Sequence, residues 1–472
     1  PILYKGKQNL PIKSICQISQ NELCLGTDGK GTKIFNIPKQ LITDYPFDNN
    51  YLDSGTSKVH SVLKDNAGNL WIAIYQKGVM MIPAQPNSFK YIGYKSINKN
   101  IIGSNCITSL CRDHKGILWI GTDNDGIYGI TTELKQKVHY APHDSPSSVP
   151  STVFGLYEDS EHNLWFGSYT NGLGRLDKKT GQCSYLQNLT DKNGNRIQRV
   201  YDLVEDQDKR LWIATMGAGL FYYDLKTGQS VYDPKFNAAT KKYKWISCLL
   251  YAGDNHLYVG TYDGIRCIDL STDDFKTEEI LSRHIIHSLY EDPQGNIWIG
   301  NSEGLAEWNP QTQQLKTYTT AHGLSSNAVY AIKGDGQDNL WISTNAGMSR
   351  FNLNTHTFSN FYADDGLQGN EFSKNASFAD HNGILWFGGT NGITYFNPQE
   401  ITNPAKKWNV RIIDFYLHDQ PIRKGMLSGG KEIINTSVFE ARDFHLSHND
   451  NAFSIEFSTR ELNNSERITY LY

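Results

Sequence analysis

The segment ITSLCRDHKGILWIGTDNDGIYGI, residues 107–130, decides the fold. Asp113 to Gly116 interrupts it with a tight turn, where Gly takes φ > 0 without steric cost. The chain returns through Leu118, Trp119 and Ile120, passes Gly-Thr, turns again through Asp123-Asn124-Asp125-Gly126 and leaves on a third strand. Outward from this copy the pattern recurs from Val59, Val153, Val200, Ile246, Ile285, Val329 and Ala376, with a weaker version from Ile12. The marker positions Cys24, Trp71, Trp119, Trp165, Trp212, Tyr258, Trp298, Trp341 and Trp386 lie 47, 48, 46, 47, 46, 40, 43 and 45 residues apart. A period of about 45 residues, each with apolar inner strands and a more polar outer one such as QLKTYT, is that of a β-propeller blade. The marker Trp is then expected to pack between adjacent blades.

Nine such units exceed the usual 4 to 8 blades of one ring. Counting back seven from the last copy gives an all-β architecture. A seven-bladed β-propeller over residues 101–400 is preceded, in 1–100, by the last two blades of a second, truncated propeller. After the linker NPQEITNPAKKW, the segments VRIIDFYLHD, FHLSHND and AFSIEFSTREL read as strands of a partial immunoglobulin-like β-sandwich over 401–472.

Composition narrows the function. The 472 residues carry 45 Lys plus Arg against 49 Asp plus Glu, a formal charge of −4 that offers no field for a polyanion, so nucleic acid is not an expected partner. No apolar run is long enough for a membrane helix. The chain starts at Pro1 with no basic start or apolar leader, so any targeting segment is expected to have been removed or to lie upstream. The cysteines Cys16, Cys24, Cys106, Cys111, Cys183, Cys248 and Cys267 form no CxxC pair and are read as core residues, with a Cys16–Cys24 bridge across a hairpin as the alternative. No metal site and no cofactor are expected. The Asp123 to Gly126 stretch lacks the spacing of a calcium loop and is read as turn chemistry.

No nucleophile elbow, phosphate loop or zinc-protease motif occurs, and no catalytic residue is assigned. His284 and His287, beside Arg283, leave open a general base of a propeller lyase or hydrolase. Binding is better supported. Loops joining second to third strands, and outer strands to the next inner strand, gather at one mouth of a propeller. Here they carry Tyr169, Asn171, Arg199, Trp245, Tyr262, Asp263, Arg283, His284, Glu303, His322 and Glu371. Aromatic faces stack on sugar rings while Arg, Asn and Glu bond hydroxyls or uronate carboxylates, a palette that suits a carbohydrate and also a peptide.

The LWIGT-x-x-x-G repeats resemble the two-component regulator propeller repeat, and DDGLQGNEFSKNASFADHNGILWFGGTNGITYFNPQEI resembles the last blade of that family. VRIIDFYLHDQPI with AFSIEFSTRELNNSERITYLY resembles the β-sandwich that joins such propellers to a membrane helix. The resemblance is to hybrid two-component sensors of gut Bacteroidetes. It implies the periplasmic, ligand-sensing part of an inner-membrane protein, with an oligosaccharide as ligand and a homodimer as the working state. It further implies that the membrane is reached only through a downstream helix outside this chain. Histidine kinase activity and control of polysaccharide-utilisation genes would lie outside it as well. A propeller enzyme and a protein-interaction scaffold are the alternatives.

Overall fold

The computed structural model describes residues 10–45, 56–66, 68–84, 88–94, 96, 100–103, 106–131, 133–191, 193–232, 244–271, 275–401 and 410–459. Regular structure in them is antiparallel strand, apart from three short 3₁₀ turns at Thr320–His322, Ala363–Asp365 and Pro398–Glu400. Among the described residues no helix is long and apolar enough to cross a membrane.

Each repeat folds as its pattern predicts. In the Trp119 blade the strands Ile107–Arg112, Leu118–Thr122, Ile127–Ile130 and Gln136–Tyr140 pair in chain order. The turn Asp organises the first hairpin: Asp113 Oδ1 accepts the N–H groups of Lys115 and Ile117 at 3.0 and 2.9 Å, and Oδ2 accepts Trp119 Nε1 at 2.9 Å. Burial alone would raise the Asp113 pKa, but the bonds from Trp119 and Ile117, with Lys178 nearby, hold it below the usual carboxylate range. Glycine in the second strand serves close approach. A Cβ on Gly121 would meet Ser109 Oγ and come within 2.9 Å of Val153 Cγ1 on the next blade. The following Thr122 closes the second turn by donating to Gly126 O at 2.9 Å.

The first strands, Ile107–Arg112, Val153–Glu158, Val200–Glu205, Ile246–Tyr251, Ile286–Glu291, Val329–Gly334 and Phe372–Ala379, each lie against the next, and the last returns to the first. The core of this ring sits between blades. Trp119 packs with Val153, Leu164 and Phe166, and Trp165 with Val200, Leu211 and Ile213. Second strands such as Leu118–Thr122 are therefore buried along their whole length. Burying one Trp, about 200 Å², contributes about 5 kcal/mol of transfer free energy.

One strand crosses the boundary drawn at residue 100. Lys90–Ile92 does not complete the Trp71 sheet, which among the described residues has the strands Val59–Lys64, Leu70–Ile74 and Gly78–Ile82. It pairs instead with Gly392–Phe396 as the outer strand of the Trp386 blade, Tyr91 opposite Thr394. A strand from before the ring thus closes its last blade, and Phe89 is buried there against Trp341, Phe361 and Phe396. Pairing removes the free edge that a three-stranded last blade would present. Further upstream, the Cys24 sheet has four strands and shares an apolar cluster of Cys24, Val59, Val62 and Ile72 with the Trp71 sheet. Cys16 and Cys24 stand opposite one another in that sheet's register, and both thiols are free.

Residues Thr402–Tyr472 form a separate compact unit. Within it Arg411–Leu417 is the central strand between Gln420–Pro421 and Phe453–Ser458, beside the two-stranded ladder Leu427–Ser428 and Lys431–Glu432. The FHLSHND segment, expected as a strand, is irregular. Its apolar alternation has another cause: Phe444 stacks on Phe415 with centroids 4.6 Å apart, and Leu446 packs against the same small core. Ser447 N–H donates to Ser428 Oγ at 2.6 Å, so side chains satisfy a backbone that no ladder does.

Candidate functional site at the mouth of the ring

Antiparallel order sends the second turns of all blades, and the links between blades, to one end of the ring. The eleven residues singled out from the sequence lie in those segments. They form small groups. Arg199 lies over the Tyr169 ring at 5.0 Å, and Tyr169 meets Phe154 edge to face at 6.1 Å. Trp245 and Tyr262 form a T-shaped pair at 5.8 Å, each more than a third exposed. His284 Nε2 is 3.2 Å from Glu303, while its Nδ1 lies 2.7 Å from Ser282 O. Arg283, at φ 61, donates its backbone N–H to Asp263 O at 3.0 Å.

Three of the eleven serve the scaffold. The Asn171 N–H donates to Ser168 Oγ at 2.9 Å. His322 Nδ1 accepts the Thr319 N–H at 3.1 Å and so caps its own 3₁₀ turn. The carbonyl of Glu371 accepts Gln368 Nε2 at 2.7 Å. Asn171 and Glu371 remain exposed at the mouth.

Apart from His287, weighed only as a general base, the centre of the mouth was not singled out from the sequence. An axial cavity of about 40 Å³ is lined by Thr108, Phe154, Tyr201, Ser247, His287, Lys374 and Asn375, with Tyr262 reaching in from the loops. Phe154 stacks on Tyr201 at 4.2 Å, His287 meets Tyr330 edge to face at 5.4 Å, and Lys374 sits 5.7 Å over the Tyr330 ring. A rule does connect these positions: Thr108, Phe154, Tyr201, Ser247, His287 and Tyr330 each stand eleven residues before the marker aromatic of their blade. In the last blade Asn375 holds that offset, but an irregular register between Phe372 and Ser377 turns Lys374 inward as well. At about 40 Å³ this cavity has room for a few waters but not for a sugar ring. A larger cleft, about 250 Å³, has Asp191, Asn195, Arg196 and Arg199 on one side and Thr215 and Met216 on the other.

Deeper on the axis, Asp202 Oδ2 accepts the Leu249 N–H at 2.9 Å and Asn375 Nδ2 at 3.1 Å, while Oδ1 accepts the Leu203 N–H at 2.9 Å. Burial pushes its carboxyl up to about 6, against the pull of those bonds and of the Lys333 charge. Burial also lowers the Lys333 pKa, and Asp202 opposes that shift. His287 is driven down to about 3 by burial, with Lys374 adding to it. Its imidazole is therefore neutral at physiological pH and a weak base.

The family model described as "Two component regulator propeller" matches residues 101–124, 147–170, 196–217, 280–303 and 323–346. These five segments match the two-component regulator propeller repeat. The chain's repeats are similar to those of solved relatives at low identity, which shows a shared fold. The extracellular domain of a hybrid two-component system from B. thetaiotaomicron is 24% identical with a TM-score of 0.75, covering 94% of this chain and 58% of that one. A second extracellular domain from the same organism, described as belonging to a one-component system, is 19% identical with a TM-score of 0.56, covering 96% and 61%. A curated protein, Histidine kinase P4 of Formosa agariphila, is 24% identical over 98% of this chain. The chain spans 27% of that relative's length. Five of the nine units are matched by the regulator propeller model, and the Tyr258 blade, with Tyr in place of Trp, is among the unmatched ones.

Proposed function

We propose that this chain is the extracytoplasmic ligand-sensing region of a two-component signalling protein, and that an oligosaccharide lies across the mouth of the ring. The observation that carries the reading is the continuous aromatic and cationic surface from Phe154 and Tyr201 through Tyr169 and Arg199, with the exposed Trp245–Tyr262 pair beside it. Flat apolar faces bordered by hydrogen-bonding groups complement the two faces and rim of a pyranose ring. Since the axial cavity is too small for a sugar ring, the ligand sits on the surface and spans several blades.

The histidines favour binding over turnover. Both nitrogens of His284 are engaged, and His287 stays neutral. Signalling then follows from differential affinity: a ligand that binds one arrangement of paired sensor regions better shifts the population toward it. The homodimer, the periplasmic location and the downstream kinase belong to this same reading. Isothermal titration calorimetry against a panel of defined oligosaccharides, followed by chromatography of each mixture, tests it. Saturable heat with intact sugar supports sensing. Consumed sugar points to an enzyme, and silence across the panel, with a captured protein partner, points to a scaffold.

A further inference from the structure

At the end of the ring opposite the mouth, a glutamate closing one inner strand reaches back to the hairpin turn of the preceding blade. Glu158 accepts the backbone N–H of His114 at 2.6 Å, Glu205 that of Ser160 at 2.7 Å, and Glu291 that of Gly253 at 3.2 Å. The side chains around this link differ between blades. Between the Trp165 and Trp212 blades they are Ser160 and Lys209, with Lys209 Nζ 3.5 Å from Glu205. Between the Trp119 and Trp165 blades the equivalent positions hold His114 and His162.

These imidazoles stack at 3.8 Å with 25° between their planes. His114 Nδ1 lies 2.8 Å from Glu158 Oε1, and one donor atom from each of His114, Glu158 and His162 falls within 4.8 Å of the others. His162 has φ 69, in the turn position where Gly116, Gly295 and Gly383 stand in sister blades with φ 81, 81 and 76. The turn needs no side chain there, so the imidazole is an addition to the hairpin.

We propose that His114, Glu158 and His162 form a binding site for a divalent late first-row transition ion, with Zn²⁺ as its reference. Two imidazole nitrogens and one carboxylate oxygen suit such an ion and not Ca²⁺ or Mg²⁺, which take oxygen ligands. Three protein ligands leave a coordination position open to water. The donors must close in by about 1 Å to reach Zn–N and Zn–O distances of about 2.0–2.2 Å. Both imidazoles are on exposed residues and can rotate. Lys178 Nζ now sits 2.6 Å from Glu158 Oε1 and 3.4 Å from Asp113 Oδ2, so it can retain Asp113 when an ion takes Glu158. Bound metal would bridge two adjacent blades.

The test is calorimetric titration of the whole, tag-free chain with Zn²⁺, using Ca²⁺ as the control cation. One equivalent of Zn²⁺ is expected, weakened roughly tenfold or more by His162→Asn and by Glu158→Gln, and tightened by Lys178→Met. His162→Asn keeps a residue that tolerates the left-handed turn, so its fold is preserved. Co²⁺ in place of Zn²⁺ should give visible absorption bands that His162→Asn abolishes. Wild-type affinity in both weakening variants, equal response to Ca²⁺, or no heat at millimolar Zn²⁺ would overturn the proposal.

Discussion

Trp298 donates its indole N–H to Asp292 Oδ2 at 2.8 Å, joining the second strand of its blade to the turn that precedes it. The pair recurs as Trp71–Asp65, Trp119–Asp113, Trp165–Asp159 and Trp212–Asp206, at 2.7 to 2.9 Å. It explains the six-residue spacing of Asp and Trp in the repeat. Among the described residues, Trp341 Nε1 and Trp386 Nε1 have no hydrogen-bond partner. Beside Trp386, Asp380 binds Arg112 of the neighbouring blade at 2.7 Å.

Replacing a paired and an unpaired Trp therefore gives different losses. Trp298→Phe should destabilise the ring by about 1.5–3 kcal/mol more than Trp341→Phe, the contribution of a hydrogen bond to a charged acceptor. Both indoles are fully buried, so lost packing is similar. Denaturant unfolding of the two variants measures the difference, and equal losses would refute a structural role for the bond.

Phe89 lies outside the stretch that the repeats assign to the ring, yet it is part of that ring's closing cluster. Phe89→Ala should cost about 3–5 kcal/mol. Hydrogen exchange should show the loss in the Trp341 and Trp386 blades, and a loss confined to the Trp71 sheet would contradict closure by this strand.

Asp202 makes stability depend on pH. Its pKa is raised to about 6 from 3.8, so the folded state holds the proton more tightly than the unfolded chain. The protonated carboxyl's stabilisation is complete below the unfolded value and disappears as pH rises through about 6. Relative to Asp202→Asn, the parent chain should gain about 1 kcal/mol between pH 7.5 and pH 5.0. Unfolding curves at the two pH values decide it, and parallel pH dependence in both proteins would rule out Asp202 as the source.

At the mouth, Trp245→Ala and Tyr262→Ala should each weaken oligosaccharide binding by about tenfold, or about 1.4 kcal/mol. Both are exposed, so thermal stability should change little. Calorimetry alongside a melting curve separates the two effects, and unchanged affinity in both variants would move the ligand away from this surface.

Much of the fold was legible because hydrophobic period and turn chemistry are local. Asp113, Gly116 and Trp119 announce the hairpin within seven residues, and the marker spacing announces its repetition. FHLSHND misled for the same reason: alternation reports which side chains face a core, and Phe444 and Leu446 face one without a ladder. The mouth loops could be placed from topology, while the axial residues follow an eleven-residue offset that becomes visible only once the inner strands are known to line a common axis.

The sequence by itself determined the blade, since its hydrogen bonds and turns lie within about 45 residues of one another. Only the tertiary structure decided that Lys90–Ile92 pairs with Gly392–Phe396, that Asn375 reaches Asp202, and that His114 meets His162. Those contacts join residues from different repeats, and ring closure sets their distances, which no local pattern encodes.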